Sequence, residues 1–304
     1  MNRSVTQSAT QPAIQTGFMA TDNVKFYLPL LVLAIIALAG VLWPRQGLDI
    51  NLLAKNLPPS FAHPFGTDWL GRDMLTRSLK ALNTSMGIGV IAVGSSCLIA
   101  MCLSMLAMVN RITRAAVDLI VDVFMSLPHL LLLILLSLAF GGSEPGLIGA
   151  VALSHWPRLT RLLRFEMQSV LNAPYYQLAR QFGQPTLVVV RRHMLPHVIP
   201  QWLTGAVLLF PHALTHMAGL TFLGFGMDPS TPSMGVLLSQ ASSYLLTGTW
   251  WLAVFPGALL LLSLLLLSDF ARHVSQQVQG DNTHSSTHSS HHTRKHLEGF
   301  DATH

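Results

Sequence analysis

His212 and His216 lie four residues apart, with Met217 beside the second, inside a long apolar run. On a helix that spacing puts both imidazoles on one face, and imidazole and thioether are donors for borderline and soft divalent metals. Two readings stand side by side: the pair offers transient ligands along a passage, or each imidazole satisfies a hydrogen bond between packed helices. More imidazoles crowd the C-terminal end, at His273, His284, His288, His291, His292, His296 and His304. Such a tract can capture or buffer Ni²⁺ or Zn²⁺, or be a solvated low-complexity end or a cloning scar.

Other chemistry is missing from the sequence. It holds no G-x-x-x-x-G-K-[ST] loop to cradle ATP phosphates, no H-E-x-x-H and no G-x-S-x-G, so the easiest readings as an ATPase, metalloprotease or serine hydrolase fall away. Cys97 and Cys102 share one apolar run, which fits small core hydrophobes and neither a disulfide framework nor a Cys-rich metal cage. Asp118 and Asp122, one helical turn apart near Arg111 and Arg114, read either as a polar helix entrance or as a proton relay. The relay would make the chain a stand-alone proton-coupled carrier.

These residues sit in a chain whose solvent is mostly lipid. Of 304 residues 51% are hydrophobic and 10% charged, against about 25% charged in soluble domains. Six apolar stretches, Phe26 to Trp43, Met86 to Val109, Ala115 to Phe140, Gly146 to Leu163, Val198 to Phe222 and Trp250 to Ser268, approach the roughly 20 residues that a crossing helix needs. The expected fold is all-α and polytopic, with six transmembrane helices. Five of the 18 Lys and Arg, namely Arg45, Lys55, Arg72, Arg77 and Lys80, lie between the first two stretches. The others fall on the opposite side, so the positive-inside rule puts both termini in the cytoplasm, and no nucleic-acid tract forms. Ala37-Leu38-Ala39-Gly40 resembles a cleavage site, but the long polar lead and the continuing apolar run favour an uncleaved anchor. The expected organisation is a cytoplasmic tail over 1–25, a transmembrane domain over 26–272 with an extracytoplasmic loop 44–85 and a cytoplasmic segment 157–197, and a disordered His-rich tail over 273–304.

The segment from Ala173 to Pro200 is punctuated like a hairpin. A helix ends at Gly183, Pro185 opens a second short helix, and Pro196 closes it. Tyr175, Tyr176, Phe182, Leu187 and Val190 offer apolar surface to a soluble partner's groove.

Three blocks carry a family resemblance. Ala179, Gly183 and Leu195-Pro196 have the spacing of the coupling signature of permeases in binding-protein-dependent ABC importers, with Gln177 where that signature usually has an acid. His63-Pro64-Phe65-Gly66-Thr67-Asp68-Trp69-Leu70-Gly71-Arg72-Asp73 is similar to an element of the dipeptide, oligopeptide and nickel branch. So is Gly219-Leu220-Thr221-Phe222-Leu223-Gly224-Phe225-Gly226, followed by Pro229, Thr231-Pro232-Ser233 and Gly235. The pattern is most similar to the C-type permease of these operons. Ala152-Leu153-Ser154-His155-Trp156 and the H-x-x-x-H before Gly219 resemble nickel-import permeases more than peptide permeases.

The resemblance implies a type I ABC importer fold in a bacterial inner membrane. The chain would be a non-catalytic subunit that binds no cofactor. A second homologous permease would complete the pathway, two ATPases would supply ATP and Mg²⁺ chemistry, and an extracytoplasmic binding protein would deliver nickel or a nickel chelate, or alternatively a di- or oligopeptide. His155, His212, His216 and Met217 would line the pathway. Tyr175, Tyr176, Gln177, Ala179, Arg180, Phe182, Gly183, Leu195 and Pro196 would form the coupling element seated on an ATPase.

Overall fold

A computed structural model describes residues 18–182 and 185–298, with side chains described from Tyr27 to Val278 except Tyr175, Ala179, Arg180, Thr186, Leu187 and His193 within that span. The fold over these residues is all-helical, and its one β-bridge, Thr67 to Asp73, belongs to a loop. The helices are α1 (Phe18–Leu42), α2 (Met74–Leu106), α3 (Arg111–Ser126), α4 (His129–Ala139), α5 (Glu144–Asn172), α6 (Pro174–Gln181), α7 (Thr186–Val189), α8 (Leu195–Phe222), α9 (Met234–Ser242) and α10 (Trp251–Glu298). The core lies where α2, α5 and α8 pack on one another, around Ala92, Cys97, Leu147, Val151, Trp156 and Leu163. Cys97 is buried there, whereas Cys102 is exposed and is not the core hydrophobe expected.

Among the described residues, three helices are long and apolar enough to cross a bilayer on their own: α2, α8 and the Trp251–Val278 part of α10. The expected third stretch is not one rod. Pro128 forbids continuation of α3, so α3 and α4 meet at 102° and pass the same test only as a bent pair. The apolar part of α1, Tyr27–Leu42, is shorter. Arg158, Arg161 and Arg164 interrupt α5. The expected count of six crossings is therefore not reached on length and composition alone.

The loop between α1 and α2 ends sooner than expected, because Asp73 caps α2: the Thr76 amide donates to its carboxylate at 2.8 Å. Asp68, fully buried, accepts from the Leu70 amide at 2.9 Å, the Arg72 amide at 2.8 Å, the Arg72 Nε at 2.7 Å and the Arg77 guanidinium at 2.6 Å. Arg77 also donates to Gln240 of α9 at 2.9 Å. Trp69 stacks on Tyr244 at 4.6 Å, Phe65 on Phe255 at 4.7 Å, and the Trp251 indole donates to the Thr67 carbonyl. Gly71 has φ +76°, and a Cβ there would overlap the Asn51 carbonyl, so only glycine fits. The His63-to-Asp73 block is thus a polar knot tying the loop to α2, α9 and α10.

The end of α8 explains the second block. The Phe225 amide bonds the Leu220 carbonyl at 3.0 Å and the Gly224 amide bonds Thr221 at 3.1 Å, with Gly224 and Gly226 left-handed. Ser233 then caps α9, and Gly235 lets α9 approach Thr221 and Ala218 of α8 where a Cβ would collide.

The hairpin reading needs a correction. Pro196 does not close the second short helix: Val190–Met194 form a π-helical turn that leads straight into α8, and Pro196 occupies its first turn. A proline there needs no amide donor, so it starts a helix as readily as it stops one. Gly183 lies outside the described residues.

Candidate functional site

Three histidines from three helices converge. The bend at Leu127 and Pro128 sets His129 at the first position of α4, facing His155 of α5 and His216 of α8. Ring centroids are 4.7 Å apart for His129 and His155, 4.6 Å for His129 and His216, and 5.5 Å for His155 and His216. One nitrogen from each ring lies within 4.8 Å of the other two.

His155 is 5% exposed. Its Nδ1 is 3.0 Å from the Val151 carbonyl and 2.8 Å from the Ser154 hydroxyl, which itself donates to Val151. A carbonyl only accepts, so Nδ1 carries the proton and Nε2 presents its lone pair. That Nε2 is buried with no hydrogen-bond partner among the described residues.

The cluster opens on a cavity of about 350 Å³ lined by the three histidines with Arg158, Leu159, Leu162, Leu208 and His212 among others. Gly205 faces it, and a Cβ there would overlap Leu159. The sequence-stated pathway residues thus divide. His155, His212 and His216 reach the cavity, whereas Met217 is turned into the core among residues such as Ile88 and Val93. His129 was not expected; the signal for it was a lone imidazole directly after Pro128 in an otherwise apolar run.

Asp118 and Asp122 do not form a relay. Each pairs across to α5, Asp118 with Arg164 and Asp122 with Arg161 at 2.6 Å, which anchors α3. This pairing fits the polar helix entrance better than the relay.

In the segment expected to couple to an ATPase, Phe182 is 80% exposed, Tyr176 is buried against the core, and Leu195 is half-buried while Pro196 is exposed. Gln177 is exposed and reaches the Asn172 carbonyl at 3.4 Å. The side chains of Tyr175, Ala179 and Arg180, and those of the tail residues His284, His288, His291, His292 and His296, lie outside the described ones.

Residues 97–278 match the family model described as binding-protein-dependent transport system inner membrane component. A putative peptide transport system permease of Brucella abortus is 29% identical over 84% of this chain and 88% of its own length. The dipeptide transport system permease DppC of Bacillus subtilis is 32% identical, covering 75% of this chain and 72% of its own. The probable D,D-dipeptide permease DdpC of Escherichia coli is also 32% identical, over 70% and 72%. Among solved structures, an amino acid ABC transporter with histidines aligns with a TM-score of 0.53 and 16% identity, covering 67% of this chain and 93% of that one. These relatives are named for peptides and none of the three for nickel, so the expected closeness to nickel-import permeases is not found among them.

Proposed function

Because the chain belongs to the binding-protein-dependent transport system inner membrane component family, we propose that it is the permease subunit of an ATP-driven importer of small peptides. The observation that carries this reading is the 29% to 32% identity to permeases named for peptides and dipeptides over most of the chain. In this reading six helices cross the inner membrane, with α1, α5 and the bent α3 and α4 shielded by their neighbours and by a second, homologous permease. Both termini are cytoplasmic, as the distribution of Arg and Lys favours. The polar knot then faces the extracytoplasmic binding protein. On the other side, α6 and α7 dock on one of two ATPases, which hydrolyse ATP with Mg²⁺. Phe182 supplies the exposed apolar contact, and the coupling set includes Tyr175, Tyr176, Gln177, Ala179, Arg180, Gly183, Leu195 and Pro196.

The test is uptake of a labelled dipeptide by cells with and without this gene. Uptake should depend on the gene and on ATP, and Phe182→Asp should lower it severalfold at unchanged membrane level while reducing co-purified ATPase. Uptake that persists in vesicles without any ATPase subunit, and collapses with an uncoupler, would overturn the importer reading. A second reading, nickel or a nickel chelate as cargo, is favoured by one observation: the convergent imidazoles on the cavity.

A further inference from the structure

We propose that His129, His155 and His216 bind one divalent transition-metal ion through three imidazole nitrogens, leaving its remaining coordination positions open to the cavity. The inference rests on the proposed function only for its transport consequence; metal binding by the subunit stands or falls separately.

Helix packing alone does not account for the arrangement. A buried acceptor without a partner costs about 1 to 3 kcal/mol, and an apolar residue at 155 would avoid that cost. Instead the Val151 carbonyl and Ser154 hydroxyl fix the proton on Nδ1 of His155, and the bare Nε2 is left buried. A carbonyl holding the far nitrogen of a ligating imidazole is the usual outer-sphere support of a metal site. The two other rings, carried on different helices, each supply a nitrogen within 4.8 Å of a ring nitrogen of His155.

The donor set selects the ion. Neutral nitrogen ligands suit Ni²⁺, Co²⁺, Zn²⁺ and Cu²⁺, while Mg²⁺ and Ca²⁺ require oxygen. Three ligands leave at least one position free, as in sites that exchange their cargo. Arg158 on the same cavity wall opposes a bare cation and favours an ion carrying a carboxylate ligand.

The experiment uses the complete importer complex in nanodiscs, with the tail histidines of the full-length chain replaced by serine so that they contribute no binding. Ni²⁺ alone is titrated by equilibrium dialysis, and Co²⁺ alone is added for its ligand-field spectrum. The expected result is one ion per subunit, with a Co²⁺ spectrum of nitrogen ligation. His129→Gln, His155→Gln and His216→Gln should each weaken binding by 100-fold or more, while His197→Gln, at the other end of α8 and away from the cavity, changes it less than threefold. Each variant is scored per assembled complex. The Co²⁺ spectrum of the unaltered triad tests the site even where a variant fails to assemble. No saturable ion in the unaltered complex, or equal loss in His197→Gln, overturns the proposal. Metal lost with dipeptide uptake intact upholds the site without touching the peptide reading, whereas dipeptide uptake independent of the gene defeats that reading without touching the site.

Discussion

The knot around Asp68 and the chamber around His155 are both buried and polar, yet they are built on opposite rules. In the knot, one carboxylate receives two backbone amides and two guanidinium groups, and Arg77 goes on to Gln240. In the chamber, His155 holds one nitrogen firmly and leaves the other with nothing. A saturated network fixes geometry and has no capacity left for a guest. An unsaturated one sacrifices stability and keeps that capacity. The knot therefore fixes geometry, while the chamber keeps the free nitrogen that the proposed ion would take.

Breaking the knot should have the largest effect. Asp68→Ala strands Arg77, whose side chain is 5% exposed, and removal of one partner from a buried pair costs about 3 to 5 kcal/mol. Membrane level and melting midpoint should both collapse; a near-normal level would put the comparison in error. Gly71→Ala, forced into a left-handed backbone against the Asn51 carbonyl, should cost about 1 to 3 kcal/mol, read as a lowered midpoint in the assembled complex. The chamber should behave in reverse: His155→Leu should leave stability unchanged or raise it by up to about 1 kcal/mol, while abolishing the bound Ni²⁺. A drop of several kcal/mol would make His155 a packing residue. The smallest effect belongs to Asp122→Asn, since that carboxylate and Arg161 are 66% and 58% exposed, and exposed pairs contribute about 0 to 1 kcal/mol. Thermal melts of the two complexes should nearly coincide.

Local grammar was readable in advance, and long-range convergence was not. The block from His63 to Asp73 stood out by its resemblance to a family element, and part of it answers local backbone needs, as the Asp73 cap and the Gly71 turn do, whereas its stacking partners Tyr244 and Phe255 lie far along the chain. His212 and His216 were visible as a helix-spaced pair, and both do reach the cavity. Met217, one position on, points about 100° away and enters the core. His129 escaped because its partners lie on α5 and α8, and no spacing rule within one helix connects them. Pro196 misled for a different reason: proline ends one helix and begins another with the same covalent constraint, and only the π-helical turn before it decides which.

That continuous turn has a mechanical consequence. From Thr186 to Phe222 the backbone is helical without a gap, so α8 can act as a lever, and in the importer reading its short arm ends beside the segment that would dock on an ATPase. His216 lies 21 residues beyond Leu195, about 32 Å along the axis at 1.5 Å per residue. Nitrogens on one tetrahedral ion at about 2.1 Å sit about 3.4 Å apart, against the 4.8 Å limit within which these atoms lie. A tilt of about 3° at the foot of such a rod carries His216 through about 1.7 Å. That stroke is enough to assemble or dismantle a three-imidazole grip, so a movement too small to alter the helix bundle's outline suffices to close the grip on an ion or let it go.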